Sequence, residues 1–215
     1  MEKRKLDFYH SPRTRSTGVR MLLEELGAPF DIHAVNMKAG DQRKSAFLAV
    51  NPMGKVPAIV HGGELVTEQG AIFIYLADEF PAAGLAPAIG DPLRGPYLRW
   101  LVYYGSSFEP ALVDRAMQRE PAPLAMSPYG LFDTMLETLA AQLRKGPWLL
   151  GARFSAADIL WGTALGWTVA FKIVPELPEI MSYIARVKAR PSAAKIDAED
   201  AALADKHDAE AKAAG

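Results

Sequence analysis

The sequence predicts an α/β domain with a four-stranded mixed sheet, followed by an all-helical domain. Three observations carry this. Strand-like and helix-like patterns alternate through the first third of the chain. A proline- and glycine-rich run then breaks the pattern, with Pro81, Pro87, Pro92 and Pro96 set among Gly84, Gly90 and Gly95. Beyond it strand alternation is absent, and helical stretches follow over about 93–118, 128–145, 155–171 and 178–190. The predicted division is a first domain at 1–82, a linker at 83–92 and a helical domain at 93–215. With 215 residues, half of them apolar, the chain has enough to bury a sizeable core.

The elements of the first domain follow in order. Residues 5–10 (KLDFYH) read as a short strand. In 16–27, Val19, Leu22, Leu23 and Leu26 fall on one helix face, and Gly27 and Pro29 end that helix. Residues 30–35 read as a second strand, and a polar, weakly patterned stretch follows. The segment 55–68 gives two short strands around Gly62–Gly63, which suits a tight hairpin. Residues 69–80 form a helix with Ile72, Leu76 and Phe80 four apart. The order β-α-β, loop, β-β-α allows one parallel crossover and one antiparallel hairpin, which is the thioredoxin-like plan.

In the second domain, Ser155 and Asp158 form a capping box, with Asp in the usual Glu place and Phe154 available as a staple onto Ile159. Trp161 and Trp167 read as packing residues. The Ala-rich, charged tail from 193 to 215 has little to bury and is expected to be a surface helix or to fray.

Composition excludes several classes of function. Twenty-four Lys and Arg balance 25 Asp and Glu, so the chain carries no electrostatic reason to seek nucleic acid or a membrane surface. No cysteine is present, which removes disulfides, thiolate metal sites and a cysteine nucleophile. The basic N-terminus lacks an apolar stretch behind it, and no window approaches a membrane span. A soluble cytoplasmic protein without a metal is expected.

Three segments place polar groups at element ends. The first, YHSPRTRSTG, brings the hydroxyls of Ser11, Thr14, Ser16 and Thr17 to a helix N-terminus, where free N–H groups favour an anion or take ordinary caps. The second, NPMGKVP, shapes a turn with Pro52 and Gly54 and opens a strand with Pro57. Proline cannot join a sheet ladder, so Pro57 marks either an edge or a cis bond that presents the Val56 main chain to an extended ligand. The third places Glu68 and Gln69 at a strand-to-helix turn, able to cap or to take the α-amino and α-carboxylate groups of a ligand.

Together these three segments and the FSAADIL box of the helical domain resemble the cytosolic glutathione transferases. Four weak motifs stand in register over nearly the whole chain. The resemblance implies that glutathione is the co-substrate and that Val56, with a cis Pro57, pairs with its cysteinyl part. Glu68 and Gln69 would hold the γ-glutamyl end, and Lys55, Lys38 or Arg15 would meet the glycyl carboxylate. Gln69 replaces the usual serine, although its amide still donates. The thiol-activating hydroxyl is left open: Thr14 and Ser16 weigh equally, Ser11 comes third, and Tyr9 falls inside the strand. The bacterial Cys-Ser pattern would put its cysteine where Arg15 stands. A hydrophobic electrophile is expected between the domains, with Tyr103, Tyr104, Ser107, Phe108 and Met117 as candidate contacts. The implied activity is thiolate formation and conjugation, in a homodimer. Glutathione-dependent peroxidase or disulfide reductase chemistry and a non-catalytic binding role are the alternatives.

Overall fold

The computed structural model describes residues 4–214. Contacts divide the chain into two units. One holds the residues up to Leu76 together with those from Arg190 on, and the other holds Ala77–Ala189.

In the first unit, β1 (Leu6–His10) leads into α1 (Ser16–Leu26) and β2 (Asp31–Ala34). After a short α2 (Ser45–Leu48), β3 (Ala58–His61) and β4 (Glu64–Val66) precede α3 (Gln69–Glu79). The sheet order is β2-β1-β3-β4, with β1 parallel to β2 and antiparallel to β3. This is the predicted mixed sheet. Gly62 and Gly63 both take positive φ, 63° and 92°, as the two-residue hairpin between β3 and β4 requires. Burial alternates along β1, so Leu6, Phe8 and His10 share the inner face. A histidine in that row needs polar partners, because burying it without them is costly.

The partners come from the end of the chain. The tail forms one long helix, α9 (Pro191–Ala214), which packs against α1. The sequence reading placed 93–215 in the helical domain and gave the tail little to bury. The structure instead returns the residues from Arg190 on to the sheet unit. The buried side chains of α9 are Ser192, Ala193, Ile196, Asp200, Ala204 and His207, which from Ala193 on fall three or four apart on one face. Arg190 reaches both Glu25 carboxylate oxygens, at 2.7 and 2.6 Å. Asn36 donates to the His207 carbonyl at 3.0 Å. The stripe is small and polar, which is why apolar periodicity does not reveal it.

The second unit carries α4 (Arg94–Tyr103), a π-helical turn at Tyr104–Phe108 and α5 (Glu109–Ala116). It continues with α6 (Phe132–Leu143), α7 (Ala156–Ala170) and α8 (Pro178–Lys188). Its core centres on Trp161, fully buried against Trp100, Tyr104 and Phe108. The Ser155/Asp158 box opens α7 as predicted. The Asp158 carboxylate accepts Ser155 N–H at 2.9 Å, Leu149 N–H at 2.8 Å and the Tyr183 hydroxyl at 2.9 Å. Burial pushes its carboxyl up, against the pull of those donors. No helix among the described residues is long and apolar enough to cross a membrane.

Candidate active site

The loop from β1 to α1 folds around one buried hydroxyl. Ser16 Oγ accepts the Ser11 N–H at 3.1 Å and lies 2.9 Å from the Ser11 carbonyl, 2.7 Å from Thr14 Oγ1 and 2.9 Å from His10 Nδ1. It is fully buried, and Ser11 is nearly so. Thr14 is half-buried; its Oγ1 takes the Ser16 N–H at 3.2 Å and reaches the Ser11 carbonyl at 2.7 Å. Thr17 donates instead to Asp200 Oδ2, at 2.5 Å. Of the three residues whose hydroxyls the sequence offers, Ser11, Thr14 and Ser16, Thr14 is therefore the one that is not buried. The positive φ of Arg13, 59°, turns the loop just before it.

Behind Ser16 stands a pair that sequence reasoning missed. His10 Nε2 lies 2.9 Å from Asp200 Oδ1 on α9, and both residues are buried. Arg20 Nη1 donates to the same oxygen at 2.5 Å, while its Nη2 donates to Glu199 at 2.6 Å. Burial works to raise the Asp200 carboxyl, but hydrogen bonds from His10, Thr17 and Arg20 outweigh it and hold the group below the usual carboxylate range. His10 had a signal in the sequence, as the third inward position of a period-two strand; Asp200, in a segment read as tail, had none.

The NPMGKVP turn is held by Asn51. Its Oδ1 accepts the Met53 N–H at 3.1 Å, its Nδ2 donates to the Lys55 carbonyl at 2.8 Å, and its own carbonyl accepts the Gly54 N–H at 2.9 Å. Gly54 has φ 62°, and a Cβ there would meet the Gln42 carbonyl at 2.7 Å, so both conformation and space demand glycine. The turn delivers Lys55, exposed, and Val56, half-buried, to a cis Val56–Pro57 peptide, as the sequence reading expected. The β1–β3 ladder ends at Tyr9–Ala58, so Val56 stands two residues beyond it.

At the start of α3, Glu68 is exposed and holds a left-handed φ of 63°, uncommon for a residue with a Cβ and concentrated at functional sites. Gln69 Nε2 donates to the Arg15 carbonyl at 2.9 Å. This bond ties the α3 N-terminus to the hydroxyl loop and leaves the second amide N–H of Gln69 for another acceptor. Lys38, weighed above for a glycyl carboxylate, is paired with Asp208 of α9 at 2.5 Å. Tyr9 lies within β1, stacked on His33 at 4.8 Å between ring centroids.

Of the five electrophile candidates, Tyr104 and Phe108 are buried against Trp161, and the Tyr104 hydroxyl is bonded to Glu109. Tyr103 is half-buried, with its hydroxyl donating to the Met135 carbonyl at 3.0 Å. Ser107 is half-buried and Met117 exposed.

A thioredoxin-like sheet unit, with a glycine-shaped turn before a cis proline and a hydroxyl loop at a helix N-terminus, followed by a helical unit, defines a two-unit class of fold. Comparison with known proteins gives the family. The N-terminal domain of glutathione S-transferases matches residues 5–78, and the C-terminal domain matches 129–186. A glutathione transferase structure from Methylococcus capsulatus is 31% identical with a TM-score of 0.77, covering 91% of this chain and 98% of that one. A sphingomonad glutathione S-transferase complexed with glutathione is 31% identical with a TM-score of 0.75, over the same shares. The disulfide-bond oxidoreductase YfcG of Escherichia coli is 29% identical over 87% of this chain and 92% of its own length. The chain belongs to the glutathione S-transferase family.

Proposed function

We propose that the protein binds glutathione on its sheet unit, lowers the pKa of the thiol with the Thr14 hydroxyl, and adds the thiolate to hydrophobic electrophiles. The observation that carries this reading is the Gln69–Arg15 hydrogen bond. It sets the Glu68–Gln69 turn, suited to a γ-glutamyl amine and carboxylate, beside the loop that carries the half-buried Thr14. Val56 would pair its main chain with the cysteinyl residue, next to Pro57, and Lys55 and Arg15 would supply charge for the glycyl carboxylate. Ser16 and Ser11 support the loop in this reading, because their burial withholds them from a ligand's sulfur.

The energetics are adequate. Lowering a thiol from about 8.5 by two units takes roughly 2.7 kcal/mol of thiolate stabilisation. One hydrogen bond to a charged acceptor contributes about 1.5–3 kcal/mol, and the α1 N-terminus about 0.3–1 kcal/mol. Tyr103, Ser107 and Met117 are the proposed electrophile contacts on the helical unit. A cytoplasmic homodimer active in detoxification is the assembly and role typical of such enzymes.

The similarity to a disulfide-bond oxidoreductase favours one second reading, reduction of a disulfide or hydroperoxide by the same thiolate. Retention on immobilised glutathione followed by conjugation of a chloronitrobenzene separates these readings. Retention with conjugation is the expected result. Retention with turnover of a glutathione mixed disulfide alone would select the second reading, and no retention would leave a binding protein of another kind.

A further inference from the structure

The hydroxyl that would face the thiol is one end of a buried chain: Thr14 Oγ1, Ser16 Oγ at 2.7 Å, His10 Nδ1 at 2.9 Å and, across the imidazole, Asp200 Oδ1 at 2.9 Å. Proton counting limits how this chain can be filled. The Asp200 carboxylate only accepts, and Arg20 and Thr17 already donate to it, so His10 Nε2 carries a proton toward it. In the neutral ring Nδ1 is then an acceptor, and Ser16 divides its one proton between Nδ1 and the Ser11 carbonyl, each 2.9 Å away. Thr14 in turn points its proton inward, to Ser16 or to the Ser11 carbonyl. For Thr14 to donate to a sulfur instead, the 2.7 Å Thr14–Ser16 contact must be filled by the Ser16 proton, since two facing lone pairs at that distance repel. Ser16 then releases Nδ1, and the ring must supply a proton there.

We propose that His10, oriented by Asp200, is a positioning residue that takes up one proton as the glutathione thiol ionises, through the Ser16 and Thr14 hydroxyls. This rests on the reading of Thr14 given above. The thiol S–H bond breaks and its proton goes to Thr14 Oγ1; the Thr14 proton passes to Ser16, and the Ser16 proton to His10 Nδ1. The products are a thiolate hydrogen-bonded by Thr14 and an imidazolium paired with the Asp200 carboxylate. No proton is lost and no further reactant is needed. The groups facing His10 are Ser16 from α1 and Asp200 from α9, with Arg20 of α1 sharing the same Asp200 oxygen and paired also with Glu199; Phe8, on its own strand, is apolar. The arrangement makes α9, remote in sequence, part of the thiol's acid–base chemistry, as a buried aspartate orients an imidazole in hydrolase triads.

The test uses the wild-type chain. At one pH, the nitrogen signals of His10 are recorded with glutathione and with S-methylglutathione, which has no thiol proton, while ultraviolet absorbance reports thiolate. Conversion of His10 to imidazolium with glutathione only is the expected result. A thiolate band without any change at His10 overturns the relay and leaves the glutathione reading standing; absence of glutathione binding overturns both. In Asp200→Asn, checked for fold by circular dichroism, the midpoint of thiol ionisation is expected to rise by about one pH unit, a tenfold loss of thiolate below it. Asp200→Glu is expected to recover it. An unmoved midpoint in the folded Asp200→Asn protein also overturns the relay.

Discussion

Asp158, in the first turn of α7, and Asp200, in α9, are the two buried aspartates among the described residues, and they are held in opposite ways. The donors to Asp158 are neutral and belong to the helical unit: two backbone amides, the Ser155 hydroxyl and the Tyr183 hydroxyl. Those to Asp200 include a guanidinium and an imidazole from segments about 180 and 190 residues away. Burial dominates at Asp158 and its carboxyl is pushed up; at Asp200 burial is overcome and the carboxyl is held down. A carboxylate ringed by neutral dipoles organises a local turn, whereas Asp200 is held by a guanidinium and an imidazole drawn from another segment.

The largest expected effect is on the structural member of the pair. Asp158→Ala leaves Leu149 N–H, Ser155 N–H and the Tyr183 hydroxyl without their acceptor, at about 1–3 kcal/mol for each buried group left unpaired. A loss of about 3–5 kcal/mol is expected in urea unfolding. All four tryptophans, at 100, 148, 161 and 167, lie in the helical unit, so their fluorescence reads that unit directly. A loss under about 1 kcal/mol would mean that the box is replaceable.

The next effects divide the Asp200 network between its open and buried ends. Thr14→Ala is expected to lower kcat/KM for conjugation by about 10- to 100-fold, the worth of one hydrogen bond to a charged acceptor, with stability nearly unchanged. Ser16→Ala removes a buried hydroxyl from Ser11 and His10, so it is expected to cost stability, about 1–3 kcal/mol, as well as activity. If the two variants lost activity equally and neither lost stability, the division of roles between them would be wrong.

The same contrast decides what the sequence could tell. The Ser155/Asp158 box spans three residues and is readable because its partners are neighbours. So are the helix face of Val19, Leu22, Leu23 and Leu26 and the Gly62–Gly63 hairpin, whereas the cis form of Pro57 followed from the family resemblance rather than from the local pattern. The four strands and helices α1 and α3 follow from such local patterns, whereas α2 falls in a stretch without one. The proposed preference for Thr14 over Ser16 and Ser11 was not readable, because it rests on burial, and the burial depends on loop closure around Ser16. Asp200 was hidden further: it sits in a helix whose inward face carries Ala193, Ala204 and His207 more than large apolar residues, so no periodicity marks that face as buried. Pairing across about 190 residues leaves no trace in either segment alone.

The smallest effect is expected from moderate acidification, and its sign differs between the two aspartates. Asp200 is joined on the sheet unit by Glu25, where burial works upward but hydrogen bonds from Arg190 and Ser192 prevail and hold the carboxyl low. Groups with depressed folded values contribute stability that is complete above their unfolded values, about 3.9 for Asp and 4.3 for Glu, and is lost as pH falls through the lower folded values. Asp158 runs the other way. Its folded value is raised, so its contribution is complete below the unfolded value and is lost as pH rises through the folded one. Above about pH 5 the docking of α9 is therefore expected to hold, and the helical unit gains as pH falls through the raised Asp158 value toward the unfolded one. Below about pH 4, α9 loses its anchors first. Helical circular dichroism should then fall before tryptophan emission changes, because the tryptophans report only the helical unit. Coincident transitions would show that the two carboxylates are not independent, and that the acid response belongs to the chain as a single cooperative body.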